Sequence, residues 1–227
     1  MKNAMLLSAL FAALTLSGGA RAADTAELQV KGSVRPSACT LTLSADGVVD
    51  YGRIPASRLS DTKVTSLGGR TVNYAINCDN GAARIALQIT DNRKPSVVKG
   101  MALDVSKYWG DAAAFGLGIV DGKTIGIYMV VMNGGTQANG GSSTTTLAPA
   151  SSGDGGKTWR TSSSGYLQLI SDSWYSWGTS YTDLEPLAIN NVSGTLTVVA
   201  FIDKLGNIPP GNDIPLDGLT TLEMRYL

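Results

Sequence analysis

The chain contains no histidine among its 227 residues. It therefore lacks the side chain that titrates near neutral pH, and with it Ser-His and Cys-His nucleophile pairs and imidazole metal ligands. Two carboxylate pairs, Asp111 with Asp121 and Asp183 with Glu185, are the remaining candidates for acid-base chemistry. Each lies in a turn-like stretch where Asp is common for structural reasons. We expect no enzyme activity and no catalytic residue.

Cysteine is scarce as well, with only Cys39 and Cys78 in the sequence. Two cysteines without histidine are too few ligands for a structural zinc site, and the close C-x-x-C spacing of redox pairs is missing. In an oxidising compartment two thiols most simply form one disulfide. We therefore predict a Cys39–Cys78 bridge, no metal site and no cofactor.

Long apolar runs are confined to the amino terminus, where Lys2 precedes the apolar residues 4–16. The triplet Ala20-Arg21-Ala22 follows with the small-x-small pattern of a signal peptidase site, so residues 1–22 are predicted to be a secretory signal peptide. No later run reaches the roughly 18 residues of a membrane-spanning helix. The prediction is export and a single domain over residues 23–227.

Excess positive charge is also missing. Without Lys2 and Arg21 the chain keeps 16 basic and 18 acidic residues, a net charge of −2. Phosphate binding requires clustered cationic side chains, so this balance gives no support to a nucleic-acid partner.

The exported part has an apolar period of two, which is typical of half-buried strands. One strand is predicted over residues 71–78 and another around Ile85, Leu87 and Ile89, with further alternation in residues 28–43, 116–132, 166–170, 195–202 and 221–226. Short strands separated by Gly, Asn, Asp and Pro turns indicate an all-β sandwich. Helix signals are weak, with one short helix or turn suggested by residues 105–115. The Gly, Ser and Thr-rich residues 134–156 are expected to form a long mobile loop, because this composition buries little apolar area.

Both ends of the exported chain resemble a known family. Residues 28–39, Leu-Gln-Val-Lys-Gly-Ser-Val-Arg-Pro-Ser-Ala-Cys, resemble the amino-terminal signature of bacterial chaperone-usher pilins, and residues 221–227 resemble the pilin carboxyl-terminal strand with its penultimate Tyr. Residues 90–93 (Thr-Asp-Asn-Arg) and 217–220 (Asp-Gly-Leu-Thr) resemble one branch in particular, the DUF1120 proteins that accompany fimbrial assembly systems. The resemblance covers residues 100–190 poorly.

This resemblance implies an immunoglobulin-like sandwich that lacks its last strand and therefore has an open groove. Its implied partners are a periplasmic chaperone, an outer-membrane usher and other fimbrial subunits, and its implied location, after passage through the periplasm, is a fimbrium or the cell surface. The implied strand-exchange residues are Leu222, Met224, Tyr226 and Leu227. The alternative interpretation of the same segment is a last core strand, with Leu222, Met224 and Tyr226 inward and Thr221, Glu223 and Arg225 outward.

Two departures from the pilin pattern concern polymerisation. Only residues 23–29 precede Val30, so a donor segment over residues 23–30 offers just Ala26, Leu28 and Val30 as alternating side chains. Ile214 stands where pilins often have Gly.

An aromatic cluster suggests a second function. Trp174, Tyr175, Trp177 and Tyr181 could stack on sugar rings, with Asn and Asp side chains nearby. The alternative hypothesis is therefore a self-complete secreted binding module, or a lectin-like adhesin that recognises a host or surface glycan.

Overall fold

The computed structural model describes residues 28–33, 38–79, 81–139, 144–161, 166–209 and 214–227. Residues 28–33 are extended or irregular and fall in a unit formed by residues 1–35, whereas all strands fall in a second unit formed by residues 36–227. The predicted signal peptide and the donor residue Ala26 lie outside the described residues.

Most elements of the second unit are strands. In chain order they are β1 (Ala38–Leu43), β2 (Thr65–Asp79), β3 (Ala83–Asp91), β4 (Phe115–Gly116), β5 (Ile119–Val120), β6 (Lys123–Thr124), β7 (Gly126–Met132), β8 (Gln137–Asn139), β9 (Thr144–Thr146), β10 (Ala148–Ser152), β11 (Leu167–Gln168), β12 (Trp174–Gly178), β13 (Ala188–Ile189), β14 (Asn191–Ile202) and β15 (Thr220–Tyr226). The helices are α1 (Met101–Val105) and the 3-10 turns Ser44–Gly47, Ala56–Arg58, Lys94–Ser96 and Asp111–Ala113.

The strands form two antiparallel sheets. The first has the order β1-β2-β14-β7-β11, with β4 also paired to β7 and the β8–β9 hairpin paired to β14. The second has the order β10-β12-β3-β15, with β13 on the β12 side of β3. Strands β5 and β6 form a separate hairpin.

The core lies between the two sheets and follows the predicted alternation. Strand β2 contributes Val72, Tyr74, Ile76 and Cys78, and β3 contributes Ile85, Leu87 and Ile89, all buried. Tyr74 links the sheets, because its ring lies 6.0 Å from that of Trp177 and its hydroxyl accepts a hydrogen bond from Trp177 Nε1 at 3.2 Å. The all-β sandwich with one disulfide is thus confirmed.

Strand β7 is apolar on both faces because it contributes to two clusters. Tyr128, Val130 and Met132 enter the core between the sheets, whereas Ile127 and Met129 pack with Met101 and Ala102 in a second cluster. The region that contains α1 therefore covers the outer face of β7.

One expectation about the middle of the chain is wrong. The described part of residues 134–156 contains β8, β9 and β10 instead of a long mobile loop, because β8 pairs with β14 and β10 pairs with β12. Long-range hydrogen bonding to these partners orders a tract that buries little apolar area by itself. The short helix or turn suggested by residues 105–115 is present as the 3-10 turn Asp111–Ala113, and α1 ends where that range begins, at Val105.

Candidate functional site

The two sheets leave one side of the sandwich open. Among the described residues, β1 pairs only with β2 and β15 only with β3, so each ends its sheet. On the opposite side the terminal strands β10 and β11 lie in contact. We call the opening between β1 and β15 the β1–β15 gap, lined by Cys39, Leu41 and Leu43 on β1 and by Leu222, Met224 and Tyr226 on β15.

The hydrogen-bond register shows which amides of β15 face this gap. Leu227 N–H donates to the Arg84 carbonyl at 3.0 Å, and Asn92 N–H donates to the Leu219 carbonyl at 2.9 Å. In an antiparallel pair the bonded residues alternate. Odd-numbered residues of β15 therefore bond to β3, whereas Leu222 and Met224 direct their N–H and C=O groups into the gap.

The same reasoning applies to β1. Cys78 N–H donates to the Asn190 carbonyl at 2.7 Å, so even-numbered residues of β2 bond to β14 and odd-numbered residues bond to β1. Cys39, Leu41 and Leu43 consequently direct their backbone groups away from β2. The Cys39 N–H confirms this direction, because it donates to the Tyr226 hydroxyl at 2.8 Å.

Side chains that line the gap are incompletely covered. Leu41, Leu43, Leu222 and Met224 pack against the core but are only partly buried, whereas Leu87 and Ile89 on the neighbouring strand β3 are fully buried. An unpaired strand edge beside partly covered apolar side chains is a template for another strand.

Tyr226 is less buried than the inward orientation predicted from the sequence implies, whereas Arg225 lies on the outer face of β15. Tyr226 is 54% exposed instead of inward, because its side chain reaches towards the Cys39 amide. Arg225 lies on the same strand face as the exposed Glu223, with its side chain 41% exposed, and donates hydrogen bonds to Gln88 Oε1 at 2.9 Å and Glu223 Oε2 at 2.8 Å. The carboxyl-terminal Leu227 is exposed.

A cavity of about 1330 Å³ lies between the segment that follows β1 and the segment that precedes β15. Its apolar lining includes Ile54, Leu59, Ile125, Ile202, Ile214 and Leu216. Its charged lining residues are Asp50, Arg53 and Lys123. Ile214, which replaces the pilin Gly, is thus a wall residue of the cavity.

The residues that resemble the DUF1120 branch anchor the start of β15. Arg93 binds Asp217 through two hydrogen bonds of 2.9 and 3.0 Å, and Tyr128 and Thr220 share a hydroxyl hydrogen bond of 2.5 Å. Asp91 accepts from the backbone N–H groups of Gly116 and Arg93, and burial raises the pKa of its carboxyl. Burial also raises the pKa of Tyr128 to about 12. The motifs were visible in the sequence, but their contact depends on the antiparallel pairing of β3 with β15.

The predicted disulfide is present between Cys39 and Cys78, which lie directly opposite each other on β1 and β2. It links the edge strand β1 covalently to its neighbour β2 in the first sheet. Because Cys39 belongs to the gap lining, the bridge also fixes one end of the site.

The proposed glycan cluster does not form a surface. Tyr175 and Trp177 are 0% and 1% exposed and belong to the core, so they are unavailable for stacking on a sugar. Trp174 is partly buried, and only Tyr181 of the four is exposed. The period of two along β12 directs Tyr175 and Trp177 to one face of the strand, the face turned to the core.

Two of the candidate carboxylates, Asp111 and Asp183, accept hydrogen bonds from the backbone or a neighbouring hydroxyl. Both carboxylate oxygens of Asp111 accept from Gly100 N–H at 2.9 Å, and Asp183 accepts from the Thr179 hydroxyl. In the part of the chain that the structure describes, no three acidic or cysteine side chains are grouped as metal ligands. Likewise, no helix in the described ranges is long and apolar enough to cross a membrane.

Comparison with known proteins finds a family match and full-length relatives. Residues 28–129 match the family described as Protein of unknown function (DUF1120). Across its whole length the chain is 31% identical to Uncharacterized protein YhcF and 30% identical to Protein GltF, both of Escherichia coli (strain K12), covering 100% and 99% of those proteins.

Two further similarities are with pilus proteins. The chain is 32% identical to the Major fimbrial subunit of Proteus mirabilis (strain HI4320) over 42% of this chain and 50% of that one. The crystal structure of the P pilus rod subunit PapA aligns with 88% of this chain and 99% of that one, at 14% identity and a TM-score of 0.42.

The fold and the gap define a disulfide-linked β-sandwich with one open side. The chain belongs to the same protein family as YhcF and GltF of Escherichia coli (strain K12), and its residues 28–129 match the DUF1120 family.

Proposed function

We propose that this protein is an exported fimbrial structural or accessory subunit that completes its sandwich with a strand from another protein, inserted in the β1–β15 gap. The observation that carries the proposal is the coincidence of free backbone groups and partly covered apolar side chains on both edges of the gap. Addition of an extended strand to such an edge supplies both main-chain hydrogen bonds and side-chain burial.

The energy available from strand insertion is large compared with domain stability. An incoming strand that buries three alternating apolar side chains gains about 5–9 kcal/mol, at roughly 1.5–3 kcal/mol for each side chain. A folded domain is stable by only about 5–15 kcal/mol. The isolated chain is therefore expected to be poorly stable until a donor strand is bound.

The order of partners is the one implied by the resemblance to chaperone-usher pilins, and the exposed Leu227 supports the first step. Leu227 and its carboxylate lie at the end of β15, where a periplasmic chaperone could bind the carboxylate through basic side chains while its own strand fills the gap. At the outer-membrane usher, a neighbouring subunit would then replace the chaperone strand with its amino-terminal segment, which would place the protein in a fimbrium or at the cell surface.

Co-expression tests this proposal. The exported chain, produced with and without a periplasmic chaperone of a chaperone-usher system, should be soluble mainly when the chaperone is present. Met224→Ser should reduce chaperone co-purification, because Met224 faces the gap. Leu219→Ser is the matched control, since it removes an exposed apolar side chain just before β15.

The opposite result is equally definite. A chain over residues 23–227 that unfolds cooperatively as a stable monomer, with or without the chaperone, would contradict the strand-acceptor role. The self-complete binding module would then be the better hypothesis.

A further inference from the structure

Tyr226 makes a contact across the β1–β15 gap that an inserted strand would have to replace. Its hydroxyl accepts a hydrogen bond of 2.8 Å from the Cys39 N–H, although the two residues belong to different sheets. The side chain is 54% exposed, so core packing does not hold it in this position. The Cys39 amide is the first gap-facing N–H of β1.

The reach of the Tyr226 side chain, from its backbone to the Cys39 N–H, is comparable to the space that an inserted strand needs. A strand inserted between two others needs about two interstrand spacings, or about 9.6 Å. A tyrosine side chain with one hydrogen bond at its end spans a similar distance from its backbone. At the Cys39 end of the gap, the Tyr226 side chain therefore fills the space that an inserted strand would take. Its hydroxyl also accepts from the Cys39 N–H, which would otherwise donate to the inserted strand.

We propose that Tyr226 acts as a gate that closes the Cys39 end of the gap and limits how far an incoming strand can pair with β1. This inference rests on the proposed strand-acceptor function. While the gate is closed, a strand can pair only beside Leu41 and Leu43 on β1. Pairing with Cys39 requires the Tyr226 hydroxyl to leave.

The occupant to which we commit is the amino-terminal segment of a second copy. In this segment Leu28 and Val30 are 92% and 88% exposed, and they alternate with Ala26 along the chain. Alternating apolar side chains suit a strand with one face towards a core. The probe is thus a labelled synthetic peptide of residues 23–33.

The test compares Tyr226→Phe with wild type. Phenylalanine keeps the ring but cannot accept from the Cys39 N–H, so the incoming peptide no longer competes with this hydrogen bond. A net hydrogen-bond contribution of about 0.5–1.5 kcal/mol corresponds to a two- to twelvefold change in affinity. We expect fluorescence anisotropy of the peptide on freshly refolded residues 23–227 to show tighter binding by this factor. Tyr108→Phe, on an exposed ring outside the gap, is the matched control and should bind like wild type.

Hydrogen exchange of the Cys39 amide gives a second readout that needs no peptide. Exchange should be faster in Tyr226→Phe than in wild type or Tyr108→Phe. Equal peptide affinity and equal Cys39 exchange in all three proteins would overturn the gate while leaving strand acceptance intact. Absence of peptide binding by all three, with faster Cys39 exchange in Tyr226→Phe, would overturn the second copy as occupant. In that case the affinity for the chaperone becomes the test of the gate. If Tyr226→Phe binds the chaperone no more tightly than wild type, the gate is overturned too.

Discussion

Replacing the Cys39–Cys78 bridge with two alanines should destabilise the sandwich through the unfolded state. The bridge closes a loop of 39 residues in sequence separation. In the chain-entropy model, removing a closure of this length costs about 4 kcal/mol at 25 °C. Because the two residues are directly opposite on neighbouring strands, the folded pairing of β1 with β2 can persist without the bond. Most of the loss should therefore appear as unfolded-state entropy.

Urea unfolding of the donor-bound protein measures this change. With a slope of about 1–3 kcal/mol per molar urea, the midpoint should fall by about 1.3–4 M in Cys39→Ala/Cys78→Ala. Thr40→Ser, an exposed position on the same strand, should leave the midpoint nearly unchanged. A double variant that stays within about 1 kcal/mol of wild type at equal slope would refute the entropic reasoning.

Further predictions concern single side chains. Trp177→Phe should cost about 2–4 kcal/mol of unfolding free energy, because it leaves a cavity and removes the hydrogen bond to Tyr74; thermal unfolding would show this. Burial raises the pKa of Asp91, so the folded state binds its proton more tightly than the unfolded state. Wild type should therefore gain stability relative to Asp91→Asn as pH falls towards the ordinary pKa of 3.8, and a constant difference between pH 7 and pH 4 would contradict this. Ala45→Gly should stabilise the protein by about 1 kcal/mol in the same urea assay, because Ala45 has a φ of 51°; a destabilisation would show that this turn is not strained.

Local alternation was sufficient to predict the central strands. Residues 71–78 place Val72, Tyr74 and Ile76 on one face, and that face is buried in the structure. A period of two fixes which side chains share a face whenever one face meets the core. The sandwich class follows from such short-range patterns, whereas the disulfide was predicted from the presence of two cysteines and the predicted export.

What the sequence could not predict depends on pairing between distant segments. Residues 137–139 are ordered by β14, which lies more than fifty residues later in the chain. Arg93 and Asp217 meet only because β3 and β15 are neighbours. Tyr175 and Trp177 already show a period of two, but the sequence alone does not reveal which sheet face they join.

The doubly covered strand β7 has a consequence for its alignment. Both faces of β7 are apolar. A shift of its register by one residue would therefore still bury apolar side chains on both faces, at little cost in hydrophobic free energy. Gly126 supplies the missing constraint, since a Cβ at this position would lie 2.2 Å from the Phe201 carbonyl oxygen. A shift of β7 would bring a residue with a side chain into that contact. The absence of a Cβ at Gly126 therefore fixes the register of β7 in the first sheet.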